Sequence, residues 1–122
     1  MFLQLAHTKL NVYESSQALI VECYKVTKLL PSDEKFNMVQ QIRRAALSVN
    51  LNSAEGCSRK SQQERNRFFE IGRGSVIEID AAIGIAVKLS YVSADQLQII
   101  GELIITNFKL ITGMISREAT HS

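Results

Sequence analysis

The residues best suited to chemistry in this chain are arginines. Between Arg43 and Arg73 lie seven basic residues, Arg43, Arg44, Arg59, Lys60, Arg65, Arg67 and Arg73, against three acidic ones, Glu55, Glu64 and Glu70, a local balance of +4. The rest of the 122-residue chain carries −2, so the overall +2 conceals an uneven distribution. A guanidinium is a planar fork that matches phosphate oxygens in pairs. A cluster of such groups therefore points to polyanion binding, salt-sensitive and tolerant of sequence. Arg59, Lys60, Arg65, Arg67 and Arg73 are the candidate nucleic-acid contacts, and an ordinary solvated face is the competing reading. Arg43 and Arg44, beside apolar Ile42 and Ala45, read instead as structural partners for Glu55, Glu70 or Glu78 across two helices. Phe68 and Phe69 follow Arg67, but Phe68 reads as core, so the sequence supports no base-stacking platform.

Other chemistries find little support. Cys23 and Cys57 are separated by 33 residues, without a C-x-x-C or a Cys/His cluster, and read as free thiols rather than zinc ligands. His7 and His121 lie near opposite ends with no acidic frame at triad or ligand spacing. Glu78 and Asp80, two apart, point about 200° from each other on a helix and cannot act as an acid–base pair. There is no G-x-S-x-G elbow, no phosphate-cradling glycine loop and no Glu-x-x-His pair for a di-metal bundle site. The expectation is a non-enzyme without metal or cofactor. No uncharged run exceeds ten residues, short of the roughly 20 a membrane span needs, and no leader is recognisable at the start. A soluble, cytoplasmic protein is expected.

The elements that position these residues are helical. One proline, no tryptophan and six glycines leave few breakers for a single domain that is 46% hydrophobic. Apolar residues recur at alternating steps of four and three in four segments, predicting helices over about 10–30, 33–55, 62–89 and 94–116. Pro31 ends the first, and Ser32 or Asp33 caps the second, which closes on Gly56 in a left-handed cap. Ser61 with Glu64, and Ser93 with Gln96, form capping boxes that open the third and fourth. The third stripe runs Phe68, Gly72, Ser75, Ile79, Ala82, Ala86, Leu89, and Gly72, Gly74 and Gly84 suggest close helix approach. The fourth runs Leu97, Gly101, Ile104, Phe108, Ile111, Ile115, and covers about half the circumference. Either a thick core contact or a subunit interface accounts for that width. Asn52 lies on the second stripe and either satisfies backbone groups at a bend or lines a site. Short links make consecutive helices antiparallel, giving an all-α up-down-up-down four-helix bundle. Arg117 to Ser122 are expected to fray.

Several stretches resemble a known family. Gln40-Gln41-Ile42-Arg43-Arg44-Ala45-Ala46-Leu47-Ser48-Val49 is similar to its Q-I-R-R-A-A-x-S-I signature. Asn52-Ser53-Ala54-Glu55-Gly56 resembles N-I-A-E-G, and Gly74-Ser75-Val76-Ile77-Glu78-Ile79 resembles G-S-x-x-E-L. This is the bacterial four-helix-bundle family that includes proteins encoded in intervening sequences of 23S ribosomal RNA genes. The resemblance implies an antiparallel bundle. Through similarity to the accessory protein of diversity-generating retroelements, it also implies a homo-oligomer, a pentamer by analogy, with RNA or DNA and a protein as candidate partners. Asn50-Leu51 stands where the family commonly has Pro-Ser, so the second helix is expected to bend less or to end differently.

Overall fold

The computed structural model describes residues 1–5 and 10–120, with side chains to residue 115; His7 and His121 fall outside them. Among the described residues all regular structure is helical. The four α-helices are α1 (Asn11–Thr27), α2 (Met38–Ser58), α3 (Gln62–Lys88) and α4 (Gln98–Thr120). Pairings across α2 and α3 run in opposite directions: Gly56 meets Phe69, Asn52 meets Gly72, and Ser48 bonds to Ser75. Arg43 with Thr27, and Asn50 with Ser16, run the same way between α2 and α1. α4 closes the ring by packing on both α3 and α1.

The core is the line where the four stripes meet. Leu19, Ile42, Val49, Phe69, Ile79, Ile100 and Ile111 are essentially inaccessible to solvent. Full burial of each such side chain is worth roughly 1.5–3 kcal/mol. The buried face of α3 is Phe69, Gly72, Val76, Ile79, Ile83 and Ala86, one residue out of phase with much of the expected stripe. On α4, Ile100, Ile104, Asn107 and Ile111 point inward, while Phe108 is exposed. Both corrections have one cause. These helices are apolar around more than half their circumference, so several stripes about 100° apart satisfy the same periodicity.

The links also differ from expectation. A 3-10 turn, Ser32–Glu34, follows Pro31, and α2 begins only at Met38. Neither Ser32 nor Asp33 caps it, since the N-cap position belongs to Asn37 and carries no side-chain cap bond. Ser61 does cap α3, accepting from the Glu64 amide at 3.2 Å. The Ser93–Gln96 box opens a second 3-10 turn, Ala94–Leu97, which leads into α4. The backbone expected to fray from Arg117 stays helical to Thr120.

Gly56 is not a left-handed cap. No glycine among the described residues has positive φ, and α2 continues to Ser58. A Cβ on Gly56 would lie 2.5 Å from Phe69 Cε1 and 3.2 Å from the Arg65 carbonyl, so the glycine is there to admit the Phe69 ring. Among the described residues, a Cβ on Gly74 or Gly84 would meet nothing within 4 Å, and one on Gly72 only ordinary contacts. Close approach therefore accounts for Gly56 rather than for the glycines of α3.

Candidate nucleic-acid interface

The link between α2 and α3 is short because Ser61 caps α3 three residues after α2 ends, and it brings several cations together. Arg65 sits one turn into α3. Its Nη1 donates to the carbonyls of Cys57 and Arg59, 3.2 Å each. Those acceptors belong to the last turn of α2 and the residue beyond, where carbonyls lack helical donors. Arg65 is thus a clamp on the helix end. Arg59 bonds to Glu55 at 2.8 Å, and its guanidinium lies 4.9 Å from the Phe68 ring centroid. Arg67 approaches the same ring at 5.5 Å. Lys60 is exposed between them in sequence.

Phe68 is therefore a half-buried ring flanked by two guanidiniums, not a core residue. The core position belongs to Phe69, and the adjacency of two phenylalanines concealed which one turns inward. Cation–π contacts hold both arginines in place at a cost to their freedom that a ligand then need not supply. The cluster is not purely cationic: Arg67 shares an open groove with Glu64 and Glu70. Arg73 is not part of it. Six residues beyond Arg67, it lies about 9 Å along α3 and about 240° around it.

Arg43 and Arg44 do not form the cross-helix ion pair expected with Glu55, Glu70 or Glu78. Glu55 is taken by Arg59, and no ion pair joins Arg43, Arg44, Glu70 or Glu78 to another described residue. Arg43 Nε instead donates to Thr27 Oγ1 at 2.9 Å, and its guanidinium lies 4.4 Å from the Tyr24 ring centroid. Thr27, buried, donates in turn to the Cys23 carbonyl at 2.7 Å.

Asn52 satisfies a backbone group, as one of the two readings expected, but without a bend in α2. Its Nδ2 donates to the Ser48 carbonyl (2.9 Å) and to Ser48 Oγ (2.8 Å), and Ser75 Oγ reaches Ser48 Oγ from α3 at 2.8 Å. The group ties α2 to α3 within an unbroken helix rather than filling a bend. Asn50 ties α2 to α1, donating to Ser16 Oγ at 2.9 Å. Burial, with the nearby Glu22 charge, pushes the Cys23 thiol up to about 12, which suppresses thiolate chemistry at neutral pH. Among the described residues no group of three or more His, Cys, Asp or Glu side chains could hold a metal ion.

The model of the 23S rRNA-intervening sequence protein family matches residues 8–113. A crystal structure of a protein of unknown function from the S23 ribosomal protein family of Bacteroides thetaiotaomicron superposes with a TM-score of 0.77 at 22% identity. That alignment covers 85% of this chain and 97% of the other, a likeness of fold. No curated protein matches the chain.

Proposed function

The chain belongs to the 23S rRNA-intervening sequence protein family, and on that premise we propose that it is a non-enzymatic, cytoplasmic bundle that self-associates and binds structured RNA. The observation that carries the RNA reading is the Arg59–Phe68–Arg67 cluster with exposed Lys60 at the α2–α3 end. Repetition of that end by a symmetric assembly would multiply phosphate contacts. Self-association is supported by an open groove of about 280 Å³ between α3 and α4, lined by Val76, Ile77, Ile104, Ile105 and Phe108 together with Asp80 and Lys109. By length and composition, the helical stretch Ala94–Ile115 is also apolar enough to cross a membrane. Its Ile100, Ile104 and Ile111 face the core, so the outward Ile99, Ile105 and Phe108 are assigned to subunit contact. A ring of about five copies is the assembly that similarity to retroelement accessory proteins implies.

Fluorescence anisotropy with a labelled structured RNA tests the binding reading. Affinity should fall steeply as salt rises, and combined charge reversal at Arg59, Lys60 and Arg67 should abolish binding. Absence of binding by the unaltered protein at low salt would refute it. Light scattering should give a mass several-fold above 13.6 kDa, and Phe108→Asp should reduce it. The same α3–α4 groove also fits a second reading, a scaffold for another protein. A pull-down insensitive to nuclease, from a protein that does not bind RNA, would favour it.

A further inference from the structure

A second cationic surface lies at the other end of α2. Arg43 and Arg44 are about 23 Å along the helix from Arg59, at 1.5 Å per residue. Tyr24 of α1, Lys35 and Phe36 of the α1–α2 link, and Val39, Gln40, Arg43, Arg44 and Leu47 of α2 line an open groove of about 390 Å³. Three of these residues are cations and none is a carboxylate. Glu34, in the adjoining 3-10 turn, is engaged elsewhere: it accepts from Tyr91 at 2.9 Å and from Asn37 at 3.1 Å.

Two aromatic rings are interleaved with the cations. Phe36 is 77% exposed, an uncommon state for a phenylalanine outside a contact surface, and Lys35 Nζ lies 5.3 Å from its ring centroid. Tyr24 carries the Arg43 guanidinium over its ring, and the Thr27 hydroxyl fixes that guanidinium from the side. Exposed rings and immobilised guanidinium planes are the two supports on which unpaired bases stack. Lys35 and Arg44, both exposed, are placed to meet the phosphates on either side.

We propose that this α1–α2 groove binds a single-stranded segment of RNA, with a base stacked on Phe36 and the Tyr24–Arg43 pair and the flanking phosphates on Lys35 and Arg44. The proposal rests on the RNA-binding reading and adds to it a preference for unpaired nucleotides, which the α2–α3 cluster alone does not supply. An acidic peptide would satisfy the cations but would leave both rings unused.

The test measures binding of two labelled probes, an oligouridine and a blunt RNA duplex. Phe36→Ala should weaken oligouridine binding about tenfold, the effect of one lost stack. It should leave duplex binding within about twofold, and Phe36→Trp should restore the oligouridine affinity. Because Phe36 is so exposed, neither change should disturb folding, which circular dichroism checks. Arg44→Gln should weaken oligouridine binding and lower its salt dependence. Oligouridine affinity unchanged in both Phe36→Ala and Arg44→Gln would overturn the groove assignment, as would displacement of oligouridine by oligoglutamate in a manner indifferent to Phe36. If the charge reversal at Arg59, Lys60 and Arg67 abolishes duplex binding while Phe36→Ala and Arg44→Gln leave oligouridine affinity unchanged, the groove fails and the RNA reading stands. If the unaltered protein binds neither probe, both fail.

Discussion

Replacing one glycine by alanine should have opposite effects at two positions of this bundle. Both Gly56 and Gly74 are helical, and alanine is favoured over glycine in a helix by about 1 kcal/mol. At Gly74 no described residue lies within 4 Å of the added methyl, so Gly74→Ala should stabilise by about 0.5–1 kcal/mol. At Gly56 the methyl would meet Phe69 Cε1 at 2.5 Å and Cδ1 at 2.8 Å. The ring is 1% exposed, and the Arg65 carbonyl on the other side belongs to the backbone, so neither can yield cheaply. Overpacking of this kind costs about 1–3 kcal/mol. With contacts this short the upper half of that range applies, and after the helix-propensity gain about 1–2 kcal/mol of destabilisation remains. Urea denaturation followed by circular dichroism, at one protomer concentration, measures both variants. A left-handed cap would also make Gly56→Ala costly, but indifferent to Phe69. In the Phe69→Leu background the Gly56→Ala penalty should fall by about 1 kcal/mol or more, the coupling expected of residues in contact. A Gly56→Ala protein as stable as Gly74→Ala, or a penalty unaltered by Phe69→Leu, would refute the packing argument.

Other outcomes follow from the polar contacts. Asn107 is fully buried, donates to the Ser15 and Leu103 carbonyls, and has no partner for its Oδ1 among the described residues. Both acceptors already serve their own helices, so Asn107→Leu should be neutral or stabilising by up to about 1 kcal/mol; a clear loss of stability in urea would show that the amide matters for more than alignment of α1 with α4. Tyr91 donates to Glu34 across the two links at one end of the bundle, and that hydrogen bond, followed by burial and the charges of Glu34 and Asp33, raises its pKa above 10.0. The protonated phenol is the favoured form in the folded state, so the contribution is present below pH 10.0 and disappears as pH rises through the higher folded value. Thermal midpoints should therefore fall more in the wild type than in Tyr91→Phe as pH passes 10.0, and parallel curves would remove this role for the contact.

Much of the fold is legible because it is written in local chemistry. Proline cannot occupy a helix interior without a break, so Pro31 marks the link after α1; Ser61 caps a helix with its own side chain, and steps of four and three reveal four amphipathic segments. The family signature around Arg43 and Arg44 is equally local. The candidate sites are less legible. Arg43 and Arg44 read in sequence as partners for acidic residues, yet the neighbouring tyrosine and threonine of α1 hold Arg43. Phe36 falls within the helix expected from residue 33, whereas a link of several residues leaves it in solvent. A cation with a long side chain can reach many partners, and only the docked helix chooses among them.

The sequence by itself determined the number of helices, their approximate extents, their antiparallel order and the excess of basic charge between Arg43 and Arg73. Those depend on propensity, capping and link length, which act over a few residues. Only the tertiary structure decided the rotation of each helix about its axis: Phe69 inward and Phe68 against two arginines, Asn107 inward and Phe108 outward, Gly56 facing a ring and Gly74 facing solvent. When apolar residues encircle more than half a helix, rotating it by one residue changes the total apolar content of its buried face little. The choice then falls to shape complementarity among all four helices at once, and no stretch of sequence taken alone contains it.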